Sequence, residues 1–496
     1  MRTAAVAFIL SMLCGTILTP LVRRLAYRFG ALDHALSSRK IHGRPIPRLG
    51  GIAIVIAFYV PLIGLILFHT EVGRMFLAER KYVIGLFAGG GCIALLGLYD
   101  DLRGSGAGRK FLVQFAVAGF LYWLGFRMEV LANPLGDPIT LGWASLPFTL
   151  LWIVGVVNAL NLIDGLDGLA GGVALVAVII TFLVSIQRGH PLMMLFSSAL
   201  AGSIIGFLFY NFNPASIFMG DTGSMFLGFV LATTAIQTNQ KASTAVAVLV
   251  PAIALGLPIM DTLLALGRRA VRGRPLFQAD KEHIHHRLLD AGLTHRQAVL
   301  VLYGFCIVLG ATAMVLTYAS SLQSALLLCV LTLVAFIFLR ALGYMRLDRA
   351  SLADRKRNRA IRAAVRPLGR RLRDLRSPEQ IWPIVMEAAQ IFGAAAVRLR
   401  LETLDAQSAP NVYSHGFEDE VEGTVTGGLF WVKFAVPGVR VPDRTLELGW
   451  RGTLREIDRD TEIAIDVFCE HLGESIELTK GAAAGAAPSR HLGPSV

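Results

Sequence analysis

Apolar runs of membrane-spanning length recur along the chain with short polar interruptions between them, and that spacing decides the fold class first. A helix needs about 20 mostly apolar residues to cross the hydrocarbon core of a bilayer. On that measure the sequence predicts about eleven transmembrane helices, near 4–22, 50–68, 82–99, 111–126, 144–162, 168–186, 192–210, 223–239, 243–266, 297–318 and 321–345. The segments at 144–162, 223–239 and 243–266 are the most interrupted, each by Gly, Pro or polar groups. Glycines inside spans, such as Gly89 to Gly91 and Gly171 to Gly172, suit close helix packing. They are not phosphate loops, because no strand precedes them and no Lys-Ser or Lys-Thr pair follows. The prediction for residues 1–345 is an all-α polytopic membrane protein.

Lys and Arg concentrate in the loop after the first span, with Arg23, Arg24, Arg28, Arg39, Lys40, Arg44 and Arg48, and in the loop after the ninth, from Arg268 to Arg296. The positive-inside rule then puts the N-terminus outside, the loops that follow odd-numbered spans in the cytoplasm, and the C-terminal segment in the cytoplasm too. Met1-Arg2 and its apolar run read as a retained first span, since no small-residue cleavage site precedes Arg23.

After Tyr344 the apolar pattern stops. Residues 346–376 read as a basic amphipathic linker lying near the inner leaflet. Residues 377–480 alternate as a small cytoplasmic α/β domain: a helix from Pro378 to Phe392, strands near 396–401, 429–436 and 444–450, and a helix from Thr461 to Leu478. That order is similar to GAF-like sensor domains. The Ala/Gly/Pro-rich stretch 481–496 reads as a disordered tail.

Composition agrees, with 54% hydrophobic and 17% charged residues. The formal charge of +12 sits on flanks and tail, with no accompanying aromatic and basic face, so it points to anionic lipid and phosphorylated ligands and away from nucleic acid. Five cysteines without a CxxC pair indicate neither a disulfide framework nor a zinc knuckle.

The unusual polar residues fall at the predicted cytoplasmic ends of spans, in four clusters. Asp100 and Asp101 close the third span, and Lys110 and Gln114 open the fourth. Adjacent carboxylates at a membrane edge need a cation or a shared proton, unless they are simply a solvated helix end. Asn158, Asn161, Asp164 and Asp167 share a helical face with no Lys or Arg between Arg127 and Arg188, so a metal, a ligand or a distant loop must balance them; a polar helix seam is the plainer reading. Asp221, in Gly220-Asp221-Thr222-Gly223-Ser224, either caps the eighth span or holds magnesium against a diphosphate. The loop His283-Ile284-His285-His286-Arg287 suits phosphate oxygens better than zinc, lacking a Cys partner.

Together these motifs, with Gly30, Asp33, Arg39, Lys40, His42 and Pro45 to Gly51 of the first loop, resemble the bacterial polyprenyl-phosphate N-acetylhexosamine-1-phosphate transferases, relatives of phospho-N-acetylmuramoyl-pentapeptide transferase, over roughly residues 1–345. The resemblance implies transfer of a sugar 1-phosphate, N-acetylglucosamine 1-phosphate first, from a UDP-sugar to undecaprenyl phosphate with release of UMP. It implies Mg2+, with Mn2+ as a substitute, held by Asp221 and Asp164; catalysis by Asp100, Asp101 and Lys110; and substrate contacts from Asn161, Asp164, Asp167, His283, His285, His286, Arg287, Lys40 and His42. It further implies a homodimer in the bacterial inner membrane, among membrane lipids, that starts an envelope polysaccharide. The spaced His-x-His-His resembles the O-antigen and teichoic acid branch and not the pentapeptide enzymes, which carry three consecutive histidines. The competing readings from other classes are a secondary transporter and a membrane-anchored sensor.

Overall fold

The computed structural model divides into two compact units, Met1–Met345 and Arg346–Val496. It describes residues 2–33, 46–67, 71–131, 133, 139–239, 249–271 and 283–344 of the first unit, and 361, 363–365, 367–372, 375, 378–401, 411–416, 429–437, 444–451 and 459–485 of the second.

In chain order the first unit holds α1 (Arg2–Arg28), β1 (Leu32–Asp33), β2 (Ile46–Pro47), α2 (Gly50–Leu67), α3 (Glu71–Ala78), α4 (Arg80–Ile84), a π-helical turn at Gly85–Gly89 and α5 (Gly90–Arg103). There follow α6 (Ala107–Leu124), β3 (Val130–Leu131), β4 (Ile139–Thr140), α7 (Ser145–Ile163), α8 (Leu169–Gln187), α9 (Pro191–Asn211) and α10 (Gly220–Asn239). The unit ends with α11 (Leu249–Ala254), α12 (Gly256–Val271), α13 (Ile284–Asp290), α14 (His295–Leu316) and α15 (Ser321–Ala341). Among the described residues, eight helical segments are long and apolar enough to cross a membrane. Helices also occupy the other three predicted positions, but α6, α10 and the α11–α12 pair fall outside that set. α6 and α10 carry Lys, Asp, Thr, Gln and Arg residues that lower apolar content, and α11 and α12 are short, at 6 and 16 residues.

The packing is that of a multi-pass membrane protein. Small residues face inward on α1, where Ala4, Ala7, Ser11, Gly15, Thr19 and Ala26 are buried, while Val6, Ile9, Leu13, Ile17 and Leu21 are exposed. In water that arrangement would be inverted; in lipid, which is as apolar as leucine, close backbone approach is what holds helices together. α9 is the central helix and α15 lies at the edge, where Phe338 stacks on Phe305 of α14 at 4.7 Å.

Two close approaches position the polar ends of the bundle. Backbone hydrogen bonds tie the start of α2 to the segment before α10: Gly50 N to Phe218 O at 2.9 Å and Gly51 N to Met219 O at 2.8 Å. A β-carbon on Gly97 of α5 would stand 2.5 Å from Thr222 Cα and 2.6 Å from Asp221 O, so only glycine lets α5 reach the first turn of α10.

The second unit is built on an antiparallel sheet in the order β6-β5-β8-β7: β5 (Ala396–Leu401), β6 (Asn411–Gly416), β7 (Leu429–Ala435) and β8 (Thr445–Arg451). Alternation sends Val397, Leu399, Leu446 and Leu448 into a core with α16 (Pro378–Ile391) and α17 (Arg459–Gly485). Arg398 lies on the other face, opposite Glu447 in register and 3.3 Å from its carboxylate. The structure adds β6 to the three predicted strands, and α17 runs on to Gly485 through residues expected to be tail. The apolar positions of the basic stretch, Ile361, Val365, Leu368 and Leu372, are buried in this same core. That helical stripe therefore packs against the sheet's helices, which its spacing of four, three and four residues permits as well as a lipid surface. Residues 345–360 and 486–496 lie outside the described set.

Gly97→Val tests the α5–α10 contact. Its side chain would meet backbone, which cannot rotate away, so stability in detergent should fall by about 2 kcal/mol or more, read as a lowered unfolding midpoint. A midpoint equal to the parent's would mean that the two helices are not in contact at Gly97.

Candidate active site

The centre of the site is an ammonium held between two carboxylates, the three groups coming from three helix ends. Lys110, one turn into α6, places Nζ 2.6 Å from Asp100 Oδ2 of α5 and 2.5 Å from Asp221 Oδ2 of α10. Asp100 Oδ1 accepts from Ser105 N at 2.7 Å and Ser105 Oγ at 2.5 Å, which fixes the turn between α5 and α6. Each of the three charged groups retains only partial exposure.

Asp101 does different work from its neighbour. Its Oδ1 accepts from Asp221 N at 2.8 Å, and its Oδ2 accepts from Thr222 N at 3.0 Å and Thr222 Oγ1 at 2.6 Å. A carboxylate on α5 thus satisfies the free N–H groups at the start of α10, as an N-cap does within one helix. Adjacent residues on α5 therefore present one carboxylate to Lys110 and one to the α10 backbone.

The second cluster enters from the end of α7. Asn161 Nδ2 donates to Ser224 Oγ of α10 at 3.1 Å, and Asn158 Nδ2 to Gln114 Oε1 of α6 at 2.6 Å, so both asparagines bind helices together. Asp167 accepts from Asn213 Nδ2 at 2.9 Å and Ala215 N at 3.0 Å, holding the loop that leads to α10. Asp164 is half-buried, and among the described residues its carboxylate has no hydrogen-bond or ion-pair partner. Burial, then the charges of Asp221, Asp101 and Asp167, push its pKa up to about 8. Asp100 and Asp221 thus flank Lys110, and Asp101 and Asp164 join the cluster on the Asp221 side. All donors are oxygen and the negative charge is incompletely balanced, which fits a hard divalent cation. No group of three or more metal-type side chains among the described residues is already spaced to enclose one.

The histidine motif closes the site from α13. His283 Nδ1 lies 2.8 Å from Asp261 Oδ2, and Ile284 N donates to Asp261 Oδ1 at 2.9 Å. Asp261, 2% exposed on α12, orients this motif and was missed in the sequence, where it reads as one polar position in an apolar span. An acidic group inside such a span was the available signal. His285 stacks parallel to His283 at 5.8 Å and abuts Gly165, joining the histidines to the Asp164 turn. Burial, then the neighbouring His286, lowers its pKa to about 3, so it is neutral. Arg287 and Arg268 each lie 5.2 Å from the Tyr344 ring centroid. Lys40 and His42 lie outside the described residues.

Comparisons with known proteins bear on the same unit. Residues 83–239 fit the glycosyl transferase family 4 profile. A probable undecaprenyl-phosphate N-acetylglucosaminyl 1-phosphate transferase of Bacillus subtilis (strain 168) is 39% identical over 339 residues, 68% of this chain and 92% of the relative. The chain belongs to the polyprenyl-phosphate N-acetylhexosamine-1-phosphate transferase family. This transferase family also includes a decaprenyl-phosphate N-acetylglucosaminephosphotransferase of Mycolicibacterium smegmatis, 34% identical over 57% of this chain and 74% of the relative. A phospho-N-acetylmuramoyl-pentapeptide-transferase of Staphylococcus carnosus is more distant, 28% identical over 58% of this chain and 89% of the relative. As a member of the transferase family the chain is a phosphotransferase, and the match spans the first unit's site helices α5 to α10.

Two outcomes test the geometry. Asp101→Ala strands the α10 N–H groups, so both stability, by about 1–3 kcal/mol, and activity should fall together; Asp100→Asn should remove activity while shifting the unfolding midpoint far less. Equal midpoints for parent and Asp101→Ala would refute the capping role. For His285, the folded pKa is depressed, so below about 6.5 the unfolded chain takes a proton that the folded chain refuses. Stability should therefore drop as pH falls from 6.5 toward 4, by up to about 2 kcal/mol at pH 5, and His285→Gln should flatten that slope in an unfolding series.

Proposed function

We propose that this protein transfers N-acetylglucosamine 1-phosphate from UDP-N-acetylglucosamine to undecaprenyl phosphate, giving the polyprenyl diphosphate sugar and UMP. The names of the relatives support the reaction class, and the Asp100–Lys110–Asp221 bridge is the observation that carries the assignment of the site. An oxygen of the lipid phosphate forms a bond to the sugar-bearing phosphorus, and the bond from that phosphorus to the UMP oxygen breaks. Such a transfer asks for alignment and charge neutralisation more than for covalent participation by protein.

The roles follow from position. Asp100, partly exposed, accepts the proton of the incoming lipid phosphate. Lys110 is the fixed positive charge facing both carboxylates and the developing phosphate oxygens. Asp221 and Asp164 are the residues that would hold Mg2+, or Mn2+ in its place; bound there, the cation would neutralise diphosphate charge. Asp101 and Asp261 act through others, one setting the α10 start and one setting His283. His283, His286 and Arg287 face the diphosphate as donors. The acceptor is a very hydrophobic lipid, which accounts for a site at the end of a membrane bundle.

The same reading includes eleven spans with N-terminus outside and the site on the cytoplasmic side of a bacterial inner membrane, a homodimer, and a cytoplasmic GAF-like second unit. An envelope polysaccharide of the O-antigen or teichoic acid kind is its product. A transporter reading fits less well, because carboxylates used for coupled transport sit near mid-bilayer, whereas these sit at helix ends.

The deciding assay is label transfer from UDP-N-acetylglucosamine to undecaprenyl phosphate by purified protein with and without Mg2+. Lipid labelling should require the cation and fall at least about 100-fold in Asp221→Ala, Asp100→Asn and Lys110→Met, the scale expected when a preorganised charge is removed. Labelling that persists in chelator or in Asp221→Ala would reject the site assignment.

A further inference from the structure

At the other end of α10 from Asp221 the structure encloses a cavity of about 290 Å³, lined by Met75, Glu79, Tyr82, His190, Met193 and Gln237. Sixteen residues of helix separate Asp221 from Gln237, roughly 24 Å along the axis, so the cavity is remote from the transferase site. Its volume is at the low end of ligand pockets, which run from about 300 Å³ upward.

The walls are built. α3 is held against α9 by Phe76 on Phe196, with ring centroids 5.6 Å apart. The turn between α8 and α9 passes through Gly189 at φ +65°, and Pro191 then starts α9, placing His190 at the cavity mouth. Gln237, only 6% exposed, carries a buried Nε2 that has no hydrogen-bond partner among the described residues. A buried amide donor left unsatisfied destabilises the empty site, and an occupant with an acceptor oxygen would relieve it. Glu79 supplies an acceptor and a negative charge, and His190 a further ring nitrogen. Met75 and Met193 provide adaptable apolar surface.

We infer that this cavity binds the head group of a zwitterionic phospholipid, with the ligand's ammonium on Glu79, its phosphate oxygens on Gln237 and His190, and the start of its acyl chains on Met75 and Met193. The charge pattern selects the class: among the described residues no Lys or Arg lines the cavity, so a purely anionic head group would face Glu79 uncompensated there, and a purely apolar tail would leave Gln237 unsatisfied. The position at the end of a spanning bundle puts these groups at head-group depth. This site is separate from the proposed reaction and does not depend on it.

The test uses the full-length protein in detergent with equimolar phosphatidylethanolamine and phosphatidylglycerol, counting retained lipids by native mass spectrometry. Phosphatidylethanolamine should be retained about fivefold over phosphatidylglycerol, the preference that one added hydrogen bond or ion pair of roughly 1 kcal/mol gives. Gln237→Leu and Glu79→Gln should each erase that preference, while label-transfer rates stay at the parent's value and neither variant's lipid-free unfolding midpoint falls below the parent's. Glycerophosphoethanolamine, which lacks acyl chains, should compete poorly. Equal retention of the two lipids, a preference that survives both substitutions, or full competition by the soluble head group would each overturn the lipid assignment.

Discussion

Everything at the reactive end of this bundle depends on one ammonium. Lys110 stands between Asp100 and Asp221 where four carboxylates meet in partly dehydrated surroundings. Without it, the charges brought together by α5, α7 and α10 would repel one another across a medium that screens poorly. With it the cluster is still net negative, which is the condition for recruiting a multivalent cation without trapping it irreversibly. A site for diphosphate chemistry needs that intermediate balance, because substrate and product phosphates must enter and leave.

The backbone makes this balance reachable. The glycine at 97 lets α5 lie against the first turn of α10, and the strand-like pairing of Gly50 and Gly51 with Phe218 and Met219 brings α2 to the same place. Asp101 then fastens α10 by its free N–H groups. Chemistry and scaffold are interleaved residue by residue, since Asp100 and Asp101 are consecutive and Asp221 and Thr222 are consecutive, with one member of each pair engaged by the other helix's backbone or side chain.

Much of this was legible in the sequence because the bilayer forces it. Long apolar runs announce helices, and carboxylates at their ends stand out against them, so the sequence already marked Asp100, Asp164, Asp221, Lys110 and the histidines as unusual polar positions. What sequence could not separate was role. Asp101 and Asp167 look like further site acids, yet their partners are backbone and amide groups 120 and 46 residues away. Asp261 looks like a stray polar residue, and only the fold brings it 2.8 Å from His283. In the second unit the sheet was expected with three strands and has four, because Asn411–Gly416 alternates too weakly to stand out and is recruited by pairing along all of β5. The stripe at Ile361, Val365, Leu368 and Leu372 has the same period whether its cover is lipid or protein.

The small-residue seam between α1 and α9 has a consequence for biogenesis. Gly15 meets Ser203 and Gly206, so α1 leaves the ribosome with its main partner still nearly 190 residues downstream. At about 5–20 residues per second it waits roughly 10–40 s for that partner. It can wait in lipid at little cost, because Thr16 and Thr19 return their hydroxyls to Met12 O and Gly15 O of the same helix, at 2.8 and 2.6 Å. Assembly of the bundle is thus gated by the emergence of α9, and the N-terminal helix enters the membrane already equipped for delay.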